Sequence, residues 1–385
     1  MSVGAESSGV SLASLQTAAH GRAIEAGLHE LWRQAEAGEV GGALVRSASL
    51  TVLVPVVGSQ SLDDLIGVID RVTLVHPCRA ILVVVDDTAP EPGAILRSHY
   101  RRPGQEEAAR YWEEIRIVAP ARAIHQAMSA ASTVVLPGLP VQAWWPGAVA
   151  LDGDLYDHAV EVSDRVLLDS MRLREPRSGL ASLASAVDVA HESVAFGDLS
   201  WSRINPWRVL TAELFDAPAD QELLDSIERV TVEYTRSTGA NEIVQALLYV
   251  GWLASRLGWE PRAALEEAPG NWRFWLVDGV RPVEVRIARN DRPPGPELTA
   301  TPGLRSVSID ATEDDRHATY LVERTGAGDE ARTVKQDGAR IEGRAHLPRQ
   351  DEVELLQEEL GGFSTDRIYV DSLGVVVGLF AEGRR

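Results

Sequence analysis

The chain has 385 residues, 45% of them hydrophobic, with 37 basic against 57 acidic residues and a formal charge of −20. Its length suits two or three domains with proper cores. The acidity argues against nucleic acid or an anionic membrane as partner, since phosphate binding needs clustered Lys and Arg. Lys335 is the only lysine and Cys78 the only cysteine. That leaves little room for lysine-based catalysis and none for an internal disulfide or a cysteine-type zinc site.

Met1–Val10 is small and polar, reads as disordered, and carries neither the basic n-region nor the apolar core of a secretory signal. Leu12–Gln34 shows a broken helical pattern and reads as one or two peripheral helices, followed by a Gly-rich hinge at Gly38–Gly42. Ser49–Gly58 is an almost continuous β-branched run, suited to a strand buried on both faces. Ser61 caps the next helix, in which Leu62, Leu65, Ile66, Ile69 and Val72 recur at helical spacing. Ala80–Val85 is a second buried strand, which completes a βαβ unit. Thr88–Glu113 reads as an irregular polar excursion leading into a strand at Ile115–Val118. A helix follows over Ala121–Ala131, then short extended pieces at Val134–Leu136 and Val141–Trp145, a helix over Tyr156–Val162 and a strand at Arg165–Leu168.

Beyond Asp169 the pattern changes. Leu180, Leu183, Val187, Ala190 and Val194 mark one helical face. Asn205 is a predicted N-cap with Pro206 at N1, where proline's missing N–H costs nothing. Glu222–Ile227 reads as helical and Val230–Tyr234 as extended. Ile243–Leu257 is apolar almost all round and closes on Gly258, so it is expected to be a central buried helix. It is too short and too mixed to span a bilayer. Strands are expected at Trp272–Val277, Val283–Ile287, Leu304–Ile309, Ala318–Val322 and Arg340–Ala345, with a Pro-rich loop at Arg289–Pro302. Asp351–Leu360 reads as a helix and Ile368–Phe380 as extended or mixed. The expected fold class is α/β: an N-terminal three-layer α/β domain with a mostly parallel sheet, followed by an α+β C-terminal domain. The expected divisions are a tail with peripheral helices at 1–46, the α/β domain at 47–168, and at 169–385 the α+β domain with its central helix and strand-rich end.

Neither early strand is followed by GxGxxG, and no Walker lysine is present. Asp152, Asp154, Asp157 and His158 have the residue types of a divalent-ion site. The same acids are also favoured at a helix start by capping and the dipole. Cys78 beside Arg79 has two readings: a thiol of lowered pKa, or a small buried one. The histidines are scattered, and no serine sits in a nucleophile elbow.

Two aromatic clusters stand out. Trp144 and Trp145 precede Pro146-Gly147 at the end of a predicted strand, where parallel sheets bind ligands. Gly197–Arg208 holds Asp198, Trp201, Arg203, Trp207 and Arg208. Trp and Arg are favoured anchors of binding surfaces, and equally they pack under helix entrances and domain junctions.

Residues Leu139–Val141 with Ala143–Gly147, Asp198–Arg203 with Pro206–Arg208, and Gly251–Trp259 resemble the signature blocks of the OpcA family. These are glucose-6-phosphate dehydrogenase assembly proteins of cyanobacteria and actinobacteria. His76–Arg79 resembles the family's His-Pro-Ser-Arg stretch, with Cys for Ser. The resemblance covers Ser49 to Trp259 and extends weakly through the strand-rich tail; Met1–Gly42 has no match.

What the resemblance implies is a non-catalytic partner of glucose-6-phosphate dehydrogenase; composition adds the expectation of a cytoplasmic chain without nucleic-acid or membrane partners, and no cofactor or metal is expected. It would assemble or allosterically activate the enzyme in the oxidative pentose phosphate pathway and so support NADPH supply. Trp144, Trp145, Asp198, Trp201, Arg203, Trp207 and Arg208 would be the partner-binding residues. The alternative is a sugar-phosphate-binding enzyme or sensor of the same pathway. The cysteine-based redox control associated with cyanobacterial members does not carry over, because Cys78 is alone.

Overall fold

A computed structural model describes residues 10–37, 44–46, 48–58, 60–101, 109–148, 150–190, 193–237, 239–262, 266–291, 302–326 and 329–382. The expected disorder at the N-terminus, the hinge at Gly38–Gly42 and most of the loop at Arg289–Pro302 lie outside these residues. The chain divides into two compact units. The first takes Met1–Leu168, Glu192–Gly197 and Glu352–Ser364, and the second takes Asp169–His191, Asp198–Asp351 and Thr365–Arg385.

The chain begins with β1 (Val10–Ala18), α1 (Gly21–Ala37), β2 (Leu44–Arg46), β3 (Leu50–Val56), α2 (Leu62–Val72) and β4 (Cys78–Val85). It continues through β5 (Gly93–Arg101), β6 (Ala109–Ala119), α3 (Ile124–Thr133), β7 (Val141–Trp144), α4 (Asp154–Val162) and β8 (Arg165–Leu168). After α5 (Pro176–Ala190), which belongs to the second unit, β9 (Ala195–Asp198) returns to the sheet. The strand order is β1-β5-β6-β4-β3-β7-β8-β9, with β2 on β6. From β6 to β8 the pairings are parallel; β1 and β5 run antiparallel.

All seven residues of β3 are buried, as its apolar run requires of a strand covered on both faces. One face carries Leu50, Val52, Val54, Cys78, Ala80 and Leu82 against Leu65, Ile69 and Val72 of α2. On the other, α3 packs on β4 and β6, and α4 on β3 and β7. That is the three-layer arrangement.

Two expectations in this unit are corrected. Val10–Ala18 is a strand paired with β5, not helix. Half-buried Leu15 and Thr17 alternate with exposed Ser14, Gln16 and Ala18, a period of two. Thr88–Glu113 is not irregular, since β5 and the start of β6 form an antiparallel pair there. Charge disguised these strands. Buried Glu114 accepts from His99 at 2.8 Å and from Arg116 at 2.8 Å, so the polar residues satisfy one another inside.

The second unit continues through α6 (Leu199–Arg203), α7 (Asn205–Glu213), α8 (Pro218–Gln221), β10 (Ile227–Thr235) and α9 (Ile243–Leu257). Next come β11 (Glu260–Pro261), β12 (Glu266–Ala268), β13 (Asn271–Asp278), β14 (Arg281–Arg289) and β15 (Gly303–Glu313). β16 (Arg316–Thr325), β17 (Glu330–Asp337) and β18 (Ala339–His346) complete the strands. α10 (Glu352–Leu360) belongs to the first unit and packs on α2; α11 (Arg367–Glu382) belongs to the second. The sheet order is β11-β13-β14-β10-β15-β16-β17-β18, with β12 on β13. It is antiparallel except for β10 beside β14.

α9 is the buried centre of this unit, packed on α11 and on β10, β14 and β15. Gly258 ends it at φ 72°, a left-handed cap. Gly251 lets α11 approach: a Cβ there would stand 2.4 Å from the Ser372 carbonyl oxygen.

The expectation of extended or mixed structure at Ile368–Phe380 is corrected to helix. Its valines favour strands. Tyr369, Leu373, Val376 and Phe380, however, are buried at helical spacing, and the Asp366 carboxylate accepts the Ile368 N–H at 2.8 Å. The chain is therefore α/β, a three-layer unit with a mostly parallel sheet joined to an α+β unit. Among the described residues no helix is long and apolar enough to cross a membrane.

Candidate functional site

Asp169 follows β8 and Asp198 ends β9. Both are 2% exposed. Each opens a helical turn, where a side-chain oxygen takes up an orphan backbone N–H. The Met171 N–H donates to Asp169 at 3.4 Å and the Ser200 N–H to Asp198 at 2.9 Å. The two turns are cross-linked. The Ser170 N–H donates to Asp198 at 3.0 Å, and the Ser200 hydroxyl donates to Asp169 at 2.5 Å. Arg203, at the end of α6, donates to both oxygens of Asp169, at 3.0 and 3.3 Å.

Among the described residues Asp198 has no such cation; its second oxygen accepts the Tyr369 hydroxyl at 3.1 Å. Burial, and then the charge on Asp169, push its carboxyl from the usual 3.8 up to about 7. Of the pair, Arg203 grips Asp169, and Asp198 takes a proton readily. Ser170 and Ser200 are fully buried; the Ser170 N–H and the Ser200 hydroxyl knit the turns together rather than face a substrate.

The N-cap predicted at Asn205 is corrected. α6 and α7 run almost continuously through Ile204, which has helical φ and ψ of −88° and −4°. Asn205 is therefore already helical, and the side-chain cap of this stretch is Asp198. The Asn205 oxygen instead accepts from Arg208 Nη2 at 3.1 Å.

Trp201 lies under Arg208, whose guanidinium carbon is 3.6 Å from the ring centroid. Its indole N–H donates to Asp366 at 2.8 Å, and Tyr369 packs at 5.6 Å on its ring. Burial lowers the Arg208 pKa to about 10, opposed by the charge of Asp366. Trp207 is buried too, with Arg324 at 5.7 Å from its ring. Arg203 and Trp207 share the wall of a cavity of about 310 Å³.

The structure thus brings Asp198, Trp201, Arg203, Trp207 and Arg208 together in the second unit. Trp144 and Trp145 belong to the first, where both are buried: Trp144 in the core beneath α2, Trp145 beside Tyr156 at 5.9 Å. None of the four tryptophans presents its ring to solvent. Sequence reading missed Asp169, Asp366 and Tyr369. Asp169 carried a signal, an acid directly after a buried strand and before a helical turn; the other two were hidden by reading α11 as extended.

The acids before α4 behave as helix-start residues. Asp154 and Asp157 fill its first turn, and His158 Nδ1 lies 2.7 Å from the Asp154 carbonyl oxygen. Among the described residues no group of three or more His, Cys, Asp or Glu is arranged to hold a metal. Cys78 is buried, and burial pushes its thiol up to about 12. Arg79 points to the opposite face of β4, where it pairs with Glu113 at 2.8 Å and Glu25 at 2.7 Å.

Residues 70–185 match the family described as glucose-6-phosphate dehydrogenase subunit N-terminal domain, and residues 194–373 match the corresponding C-terminal domain. Over 328 residues the chain is 26% identical to a candidate OxPP cycle protein OpcA of Nostoc punctiforme, covering 81% of this chain and 67% of that protein. Over 334 residues it is 26% identical to the protein of the same description from Synechocystis, covering 81% and 66%. The chain thus spans about two thirds of the length of these relatives. Among solved structures it is similar to a super-repressor mutant of Gal80p from Saccharomyces cerevisiae, with TM-score 0.48, 11% identity and coverage of 88% and 96% of the two chains. It is also similar to an NAD binding oxidoreductase from Klebsiella pneumoniae, with TM-score 0.47, 9% identity and coverage of 88% and 98%. At these scores neither structure informs the chemistry of this chain.

Proposed function

The chain belongs to the OpcA family of glucose-6-phosphate dehydrogenase subunits, and from that premise we propose that it is a non-catalytic partner which assembles or allosterically activates that dehydrogenase. The observation that carries the reading is the pair of subunit domains matched in order along one chain, at 70–185 and 194–373. The relatives' descriptions tie the family to the OxPP cycle. The role would be cytoplasmic, and its consequence a larger supply of NADPH.

The mechanism is a population shift. The partner binds the active form of the dehydrogenase better than the inactive one, and only that difference in affinity moves the equilibrium. The proposed contact is the outer side of α7, where exposed Asn205 and Val209 flank half-buried Arg208. Trp201 and Trp207 hold that surface from beneath. Asp198 and Arg203 fix the turn that leads into it. Trp144 and Trp145 support the first unit in the same way.

The test is dehydrogenase activity of the enzyme from the same organism, with and without this chain, at several substrate concentrations and with the chain alone as control. A raised rate or a lowered KM, co-elution on size exclusion and no turnover by the chain alone support the proposal. An unchanged rate and oligomeric state without co-elution overturns it.

A further inference from the structure

The cavity beside Trp207 has the polarity of a ligand site. Its wall carries three guanidinium groups, Arg203, Arg324 and Arg349, and one carboxyl, Glu242. Arg203 is balanced by Asp169 at 3.0 Å. Arg324 and Arg349 form no ion pair among the described residues. Each is held by a backbone carbonyl instead, Arg324 on Leu347 at 2.9 Å and Arg349 on Gly326 at 3.3 Å. Among the described residues Arg349 Nε is buried with no partner.

Two cations drawn partly out of water with no directly paired acid are costly, and Asp329 acts on Arg324 only through its charge, without an ion pair. An arriving anion would offset that cost with charge-assisted hydrogen bonds. The two guanidiniums are close enough for the Arg349 charge to add to burial in lowering the Arg324 pKa, to about 10.

Glu242 faces the same cavity at 1% exposure. One of its oxygens accepts the Ser237 N–H at 2.9 Å and the Ser237 hydroxyl. The other, Oε2, is buried and has no partner among the described residues. A buried acceptor without a donor calls for one from outside the chain. The site therefore pairs an anion-binding end with an acceptor for a hydroxyl, and Trp207 supplies a flat apolar wall. At about 310 Å³ it sits at the low end of the roughly 300–1,000 Å³ usual for ligand pockets. That is room for a monosaccharide, not a dinucleotide.

We propose that this cavity binds a small phosphorylated polyol, with its phosphate on Arg324 and Arg349 and a hydroxyl on Glu242 Oε2. The site would make the chain a receiver of a metabolite as well as a partner of an enzyme.

The test is calorimetric titration of the full chain, without any dehydrogenase, with a hexose 6-phosphate, the free hexose, inorganic phosphate and sulfate. Saturable binding of the hexose phosphate, at least tenfold tighter than phosphate and absent for the free hexose, is expected. Arg349→Gln should weaken it at least tenfold. Glu242→Gln should narrow the gap between hexose phosphate and phosphate. Arg340→Gln, on the exposed strand β18, should change nothing. Where Arg349→Gln does not fold, Arg324→Lys keeps the charge, removes the fork and should still weaken binding several-fold. No saturable binding, equal affinity for all three anions, or binding undiminished in the folded Arg349 or Arg324 variant overturns the proposal. Because the chain is titrated alone, such a failure leaves the dehydrogenase partnership standing, and the reverse holds as well.

Discussion

The Arg203 guanidinium grips the Asp169 carboxylate by two hydrogen bonds, at 3.0 and 3.3 Å, with Asp169 buried and Arg203 half-buried. Removing one member of a buried pair leaves the other charged and unmatched, which costs about 3–5 kcal/mol. Arg203→Ala should lose stability of that order in urea unfolding. Arg203→Lys should recover only part of it, because an ammonium lacks the planar fork. Equal stability of Arg203→Ala and the parent chain would show that the pair contributes nothing.

The neighbouring Asp198 should make stability depend on pH. Its carboxyl titrates near 7 in the folded chain against 3.8 ordinarily, because of burial and then the charge on Asp169. Between those values the folded state binds more protons than the unfolded one. Stability therefore falls as pH rises from about 4 to about 7, the reverse of an ion-paired acid. Asp198→Asn mimics the neutral form and still accepts the Ser170 and Ser200 N–H groups. The Tm of the parent chain should drop relative to that of Asp198→Asn as pH rises from about 4 to about 7. Parallel Tm profiles would refute the assignment.

The legible parts of the fold were those where one interaction dominates. β3, α2, β4 and α9 are apolar runs at unambiguous period, and each is where it was expected. The parts that misled were those where two tendencies compete. α11 is rich in β-branched valine yet buries a helical stripe at Tyr369, Leu373, Val376 and Phe380. β5 and β6 are polar because Glu114, His99 and Arg116 pair with one another inside. The site shows the same division. Asp198, Trp201, Arg203 and Arg208 stand within one short stretch and could be read together. Asp169, Asp366 and Tyr369 reach it through tertiary packing, and so do Arg324, Arg349 and Glu242 around the cavity. No local pattern announces such meetings.

Cys78 and Arg79 point to opposite faces of β4, so the cation does not activate the thiol. Burial alone acts on it and pushes its pKa to about 12. In the native chain at pH 8 the thiol should therefore resist a thiol-specific reagent, since the thiolate is the reactive form. Labelling should follow unfolding and accelerate in urea across the transition. Fast stoichiometric labelling of the native chain would contradict the buried placement.

The partner surface is best probed where the chain's own stability is least involved. Trp201→Ala is a poor probe. It empties a buried ring site, breaks the Asp366 bond and removes the stacking partner of Arg208, so about 3–5 kcal/mol of destabilisation would accompany any lost activation. Val209 on α7 is 49% exposed, and exposed substitutions usually stay within about 0.5 kcal/mol. Val209→Glu should leave the unfolding midpoint almost unchanged. If α7 meets the dehydrogenase, it should weaken co-elution and activation at least tenfold, because a charge would be pressed into an apolar contact without a partner. A second exposed valine, Val280, is 87% exposed on the turn after β13. Val280→Glu is expected to change neither reading. Full activation by the Val209 variant would move the interface away from α7 while leaving the partnership itself intact.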